Sequence, residues 1–277
     1  MIAMRENRTL SLLRAGKPAI GTWLQLHNPP AARLLAAQGL LDWMLVDFEH
    51  TPVDLGTAAT ILGSIADVSG GRVTPLARVA TGSAAAIKHA LDAGAQGVIV
   101  PMVRTVQEVR EAAAYARFPP LGERGAGGLL PHLGFGISRP EYVRRANEQT
   151  LFGVQIETRE AVDDVERILD VPGVDLCFIG PNDLHLALGC PAKFWSDEPA
   201  FVRAVARVRE ACKVRRIPLG TLCKDAASAK ARIEDGFTFV GLGSDAHFML
   251  TYCGMQAGEL RGLPDPGSWC DRVDFER

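Results

Sequence analysis

Short apolar runs that stop abruptly at charged or turn-forming residues recur along the whole chain, and this repetition constrains the fold more than any other feature. In the clearest case, Trp43-Met-Leu-Val-Asp47-Phe-Glu49-His50, an apolar run gives way to two acids and an imidazole. Runs at 75–78, 97–101, 152–157 and 176–183 behave alike, closing on Arg78, Pro101, Glu157 and Asp183. Hydrophobic periodicity predicts strands at 20–24, 44–48, 74–78, 97–101, 153–157, 176–180, 218–222 and 239–242. Helix-period segments occupy the intervals, at 30–38, 54–66, 83–93, 106–115, 159–169, 199–215, 226–234 and 245–256.

Several of these helices hand over to the next strand through a glycine, as at Gly94, Gly173 and Gly236, where a left-handed residue closes the helix. Strands alternating with helices imply parallel pairing through right-handed crossovers. Eight such units predict an α/β protein with a closed (β/α)8 TIM barrel; an open doubly wound sheet is the alternative. A chain of 277 residues suits one barrel, and no Pro/Ser-rich linker or compositional shift divides it. A single domain over 1–277 is expected, with a short irregular tail at about 262–277. The one long interruption, 117–151, opens on a turn-rich stretch and is expected to form a loop serving as a lid or an interface element.

Composition removes several function classes. A net charge of -2 and a pI of 6.3 leave no basic stripe for nucleic acid. The longest apolar run, near 97–103, is too short to span a bilayer, and residues 1–17 lack the apolar core of a signal peptide, so a cytoplasmic protein with no membrane role is expected. Cys177, Cys190, Cys212, Cys223, Cys253 and Cys270 lie far apart with no zinc-ligand spacing and are expected to be free thiols. Gly125-Ala-Gly-Gly128 lacks the flanking strand, helix and lysine of a phosphate loop.

On a barrel, strand ends gather at one mouth. Trp23, Asp47, Glu49, His50, Arg78, Pro101, Gln155, Glu157 and Asp183 are then neighbours. Glu157 and Asp183 offer two hard carboxylates to Mg²⁺ or Mn²⁺ in an open site. Arg78 is a planar fork for a substrate carboxylate or an enolate oxygen, and His50, with Asp47 three residues before it, is a candidate acid/base imidazole. Each has a structural reading alone: helix cap or salt-bridge partner for the two acids, a structural ion pair for Arg78, a loop hydrogen bond for His50. His185 and His247 are possible mouth residues, but structural roles are expected of them and of His89.

These segments together resemble the HpcH/HpaI aldolase family, the metal-dependent class II pyruvate aldolases of the phosphoenolpyruvate/pyruvate superfamily. The resemblance runs over about 20–260. It rests on Gly21-Thr-Trp23-Leu, Asp42-Trp-Met-Leu-Val-Asp47-Phe-Glu49-His50-Thr-Pro, the stretch 87–103, Arg117-Phe-Pro-Pro-Leu-Gly-Glu-Arg124-Gly, Val154-Gln155-Ile-Glu157-Thr and Phe178-Ile-Gly-Pro181-Asn182-Asp183-Leu. What it implies is cleavage of a 4-hydroxy-2-oxo acid to pyruvate and an aldehyde through an enolate on a divalent ion (Mg²⁺, Mn²⁺ or Co²⁺) held by Glu157 and Asp183.

In that scheme Arg78 stabilises the enolate oxygen and His50, oriented by Asp47, manages the aldol hydroxyl proton through a water. Trp23, Gln155, Pro181, Asn182 and Leu222 bind substrate. No Schiff-base lysine is required; Lys88 falls on a predicted helix away from the strand ends. The resemblance also implies a hexamer with a swapped C-terminal helix, and Asp92 and the Arg124 loop near subunit contacts. Gln25 and His27 depart from the family pattern and are expected to face the aldehyde end, whereas the tail at 263–270 has no counterpart. Alternatives for the same enolate are oxaloacetate decarboxylation and macrophomate-synthase-like addition, and the alternative outside catalysis is a silent barrel that binds a 2-oxo acid.

Overall fold

A computed structural model describes residues 4–262. Strands β1 (Ala19–Leu24), β2 (Trp43–Asp47), β3 (Thr74–Arg78), β4 (Gly97–Val100), β5 (Leu151–Ile156), β6 (Leu176–Ile179), β7 (Leu219–Cys223) and β8 (Phe239–Ser244) pair in sequence order, all parallel. The ladder of β8 on β1 closes the barrel and rules out the open sheet. Parallel strands covered on both faces read as unbroken apolar runs, and β2, β3, β4, β5 and β6 are buried at every position.

Large side chains fill the barrel interior. Trp43 and Phe239 stack across it with centroids 4.1 Å apart, and Phe178 meets Phe239 edge to face. Glycine makes room for them: a Cβ on Gly21 would lie 2.0 Å from the Trp43 ring. Outward residues such as Met44, Val46, Val98 and Ile179 pack under the surrounding helices. These are α2 (Pro29–Gln38), α3 (Leu55–Ser69), α4 (Ala84–Asp92), α5 (Val106–Ala116), α8 (Arg159–Asp163), α9 (Val165–Leu169), α11 (Pro199–Arg215) and α12 (Ala226–Glu234). The helix expected at 159–169 is thus two, broken where Asp164 leaves helical geometry (φ -115°, ψ 19°).

Four helices lie where no helix is expected from sequence. α1 (Arg8–Arg14) plugs the bottom of the barrel with Leu10 and Leu13, anchored by Asn7, whose side-chain amide donates to the carbonyls of Gln96 and Gln149. α6 (Pro131–Gly134) and α7 (Arg139–Gln149) occupy the long interruption, and α10 (Pro181–Ala187) follows β6. The interruption joins α5 to β5, so it lies at the N-terminal ends of the strands, away from the mouth, and the expected lid is corrected to a floor element. Phe118, Phe135, Tyr142 and Ala146 pack there with Met4.

The last helix, α13 (Asp245–Leu260), leaves β8 at the mouth and buries only Asp245 and Gly258, while Met249, Leu250, Tyr252, Met255 and Leu260 stay exposed. The tail beyond 262, including Cys270, lies outside the described residues. The other five cysteines are free thiols. Among the described residues no helix is long and apolar enough to cross a membrane.

Candidate active site

Asp47 and Arg78 end neighbouring strands in register, so their side chains leave the barrel side by side. Arg78 donates through Nε to Asp47 Oδ1 (2.9 Å) and through Nη2 to Asp47 Oδ2 (2.6 Å), a two-pronged bond between side chains only 9% and 0% exposed. Its guanidinium lies 4.3 Å over the Trp23 ring. Its third nitrogen, Nη1, is 3.0 Å from Glu49 Oε2 but lacks hydrogen-bond alignment with it. Asp47 leaves this arginine one torsional state, which is what a donor aimed at developing charge requires.

The expected Asp47–His50 pair does not form. Asp47 is committed to Arg78 and accepts the Glu49 backbone N–H (3.1 Å), and the carboxylate beside His50 is Glu49, with Oε2 3.8 Å from His50 Nε2. The cause is the turn after β2, which swings His50 to the rim with its side chain 58% exposed.

Glu157 follows β5 and is buried beneath the cavity wall. Gln155 Nε2 donates to its Oε2, and the Met102 backbone N–H donates to its Oε1 at 2.8 Å. Met102 is held at φ 53°, an unusual conformation for a side-chain-bearing residue. Burial, reinforced by Glu49 and Asp183, pushes the Glu157 carboxyl up to about 7 against the two donated bonds. Burial also raises the Glu49 pKa, opposed by Arg78 and His50. Gly180 is part of the cradle, since a Cβ there would sit 2.0 Å from Glu157 Oε2 and 2.8 Å from Gln155 Nε2.

Asp183 lies in the first turn of α10, one turn past β6. It caps nothing, because the helix begins at Gly180 without a side-chain cap, and Thr158, not Glu157, caps α8. Among the described residues no group of three or more His, Cys, Asp or Glu forms a closed metal cage. Yet Asp47 and Glu49 meet the Arg78 guanidinium, Glu157 and Asp183 lie within electrostatic reach of Glu49, and Gln155 Oε1 is buried without a partner beside Glu157. Two hard carboxylates and an orphaned amide oxygen suit an oxygen-loving cation that takes its remaining donors from water or substrate.

A cavity of about 580 Å³ opens above this group. Of the residues expected there, Trp23, His50, Arg78, Gln155, Pro181, Asn182, Asp183 and Leu222 line it. Gln25 lines it too; His27 does not, and is turned aside by a φ of 48° with its Nε2 buried. Sequence reasoning missed Lys224, Ser244, Phe194 and Leu250 in the wall and the Met102 donor, none of which ends a recognisable motif. His247, a possible mouth residue for which a structural role is expected, lines the cavity. His185 is structural, bonded to Pro181 O and Ser196 Oγ (2.7 Å each) and stacked on Phe201. Asp92 pairs with Arg124 of its own chain (3.1 Å).

The family model described as HpcH/HpaI aldolase/citrate lyase matches residues 19–251, which takes in every element of the mouth. The chain belongs to this family. A 4-hydroxy-2-oxo-heptane-1,7-dioate aldolase of Shigella sonnei is 40% identical over 242 residues, covering 87% of this chain and 89% of that enzyme. Among solved structures, an HpcH/HpaI aldolase/citrate lyase family protein of Burkholderia cenocepacia J2315 superposes with TM-score 0.85 at 34% identity, covering 92% and 99% of the two chains. An HpcH/HpaI aldolase of Desulfitobacterium hafniense DCB-2 superposes with TM-score 0.82 at 30% identity, covering 92% and 96%.

Proposed function

We propose that the protein is a divalent-cation-dependent class II aldolase that cleaves a 4-hydroxy-2-oxo acid to pyruvate and an aldehyde and runs the aldol addition in reverse. One observation carries this reading: an arginine locked by Asp47 lines one cavity with Asp183 and with Gln155, whose amide oxygen is unpartnered and whose nitrogen holds the buried Glu157. A cation such as Mg²⁺, Mn²⁺ or Co²⁺, held by Glu157 and Asp183 with Gln155 alongside, supplies Lewis-acid polarisation of the 2-keto group.

In cleavage the C3–C4 bond breaks, the C4 hydroxyl loses its proton, and the electron pair moves to C3 and then to the 2-keto oxygen. Arg78 meets the charge that builds on that oxygen with the N–H groups Asp47 leaves unused. His50, on the rim beside Glu49, takes the hydroxyl proton directly or through a water, and C3 is protonated to give pyruvate. Trp23 and Leu222 confine the reacting carbons, while Pro181 and Asn182 shape the wall above Asp183. No lysine at the mouth needs to form an imine for this balance to close.

The same reading makes the enzyme a cytoplasmic homo-oligomer acting on small molecules, with a hexamer as the expected assembly. The exposed apolar residues of α13 support burial against other subunits. The test of the reaction is release of pyruvate from a 4-hydroxy-2-oxo acid. Chelation, Glu157→Ala and Asp183→Ala should each lower turnover by roughly 10³-fold, the scale of several kcal/mol of lost transition-state stabilisation, with the barrel still folded. Full turnover by the chelated enzyme would overturn the reading.

A further inference from the structure

Asp245, in the first turn of α13, is a buried carboxylate to which the reaction scheme gives no task. Backbone N–H groups meet its charge: Oδ1 accepts from Gln25 N (2.8 Å) and Ala246 N (2.9 Å), and Oδ2 accepts from Leu26 N (3.2 Å). A carboxylate is buried at high cost unless donors meet it in this way, so the arrangement is specific. Gln25 and Leu26 belong to the loop between β1 and α2, and Gln25 is 220 positions from Asp245 in the chain. One side chain therefore ties the loop leaving β1 to the helix leaving β8. The seam between these strands is irregular, since Gly21 pairs with Gly241 but Trp23 with Ser244, leaving one extra residue on β8. Such a bulge re-aims the side chains that follow it, and here it sets Asp245 beside the end of β1. Lower on the same seam, Thr22 Oγ1 donates to the Leu242 carbonyl (2.7 Å).

In the closed barrel β1 stands opposite β5, four strands away in either direction. Glu157 and Asp183, which follow β5 and β6, are thus faced across the mouth by the wall that Asp245 fastens. Gln25 from the loop, and Ala246, His247 and Leu250 from α13, line the cavity on that wall. A substrate whose 2-oxo-acid end is held over Glu157 and Asp183 reaches toward it with its other half. We propose that Asp245 is a positioning residue: it holds the loop after β1 against the start of α13, so that Gln25 stands at a fixed place beside the aldehyde half, while the enolate half is set without it. This inference rests on the aldolase reading above and adds to it a residue that itself touches no substrate.

The test separates the two halves of the reaction. Exchange of the C3 protons of pyruvate with solvent deuterium uses the enolate half alone, whereas addition of pyruvate to succinic semialdehyde uses both. Asp245→Asn keeps the shape but turns an amide N–H toward the loop, and should raise KM for the aldehyde about five- to tenfold with kcat and deuterium exchange within about twofold of wild type. Thr22→Val weakens the same seam away from the loop and should lower Tm without moving that KM, which distinguishes positioning from stability. Gln25→Ala leaves the clamp in place and should by itself raise the aldehyde KM; added to Asp245→Asn it should change little more, because the clamp acts through Gln25. An unchanged aldehyde KM in folded Asp245→Asn, an equal loss of deuterium exchange, or an aldehyde KM that Gln25→Ala does not move would overturn the inference, the last of these even if Asp245→Asn does not fold. Each of those results leaves the aldolase reading standing, whereas a wild-type enzyme that neither exchanges pyruvate nor joins it to the aldehyde would sink that reading itself.

Discussion

The two ends of the barrel carry the same device and use it differently. At the mouth Arg78 is clamped by Asp47 and lies over Trp23; at the floor Arg124 is clamped by Asp92 and Tyr142 Oη and lies over Phe118. Two things separate them. At the floor the charges pair one to one, Arg124 with Asp92 and Arg117 with Asp175, whereas at the mouth two carboxylates, Asp47 and Glu49, meet one guanidinium and Glu157 and Asp183 add further acid near Glu49. The cavity at the floor pair is about 10 Å³, room for one water at most, against about 580 Å³ at the mouth. A buried arginine pair becomes a site only where charge is left over and a ligand has room.

The largest effect that sharpens this contrast comes from matched substitutions. Arg78→Lys keeps the charge but loses the fork, and should cost roughly 10²- to 10³-fold in kcat, the scale of one lost oxyanion donor, with little change in Tm. Arg124→Lys should leave kcat near wild type and lower Tm by roughly 5 °C, because only folding uses its fork. Steady-state kinetics beside thermal unfolding reads both. If Arg124→Lys slows turnover as much as Arg78→Lys, the division between the two ends is wrong.

A smaller effect divides the mouth itself. His50 serves only the aldol proton in the proposed scheme, whereas decarboxylation of oxaloacetate yields the same enolate with no hydroxyl to deprotonate. His50→Ala should therefore reduce aldol cleavage about 10²-fold and oxaloacetate decarboxylation only a few-fold. Equal losses in the two assays would make His50 a binding or folding residue.

The smallest expected effect is one of pH. Burial raises the Glu157 pKa from 4.5 to about 7, so the folded chain holds this proton more tightly than the unfolded chain does. Its contribution to stability is thus fully present below about pH 4.5 and is lost as pH rises through 7. A divalent cation binds the ionised form, so the rise in Tm on adding Mg²⁺ should be near zero at pH 6 and reach a few degrees at pH 8. The floor has no part in this, and a Mg²⁺ effect that persists in Glu157→Gln would place the cation elsewhere.

The register of β2 and β3 shows what sequence leaves unspoken. That Asp47 and Arg78 both end strands is legible in the chain, but that they face each other follows from pairing residues 31 apart, and this pairing takes Asp47 away from His50. Likewise Asp183 is visible beside an apolar run, but the turn through Gly180 places it in a helix, because only glycine there fits against Glu157. The Met102 donor is a backbone group in an unusual conformation, and a backbone amide leaves no mark in residue type. For the segment 117–151 only the lid alternative falls, and for a topological reason: its turn-rich composition announces a loop, and only strand direction says which end of the barrel receives it.

By itself the sequence determined the alternation of strand and helix, and with it the barrel and the set of residues at its mouth, because periodicity is local and parallel pairing of eight units leaves few closed solutions. The tertiary structure decided which mouth residues touch, how far burial shifts their protons, where charge is left uncompensated and which residues wall the cavity. Those depend on distances and solvent exclusion among residues far apart in the chain, which exist only once the barrel has closed.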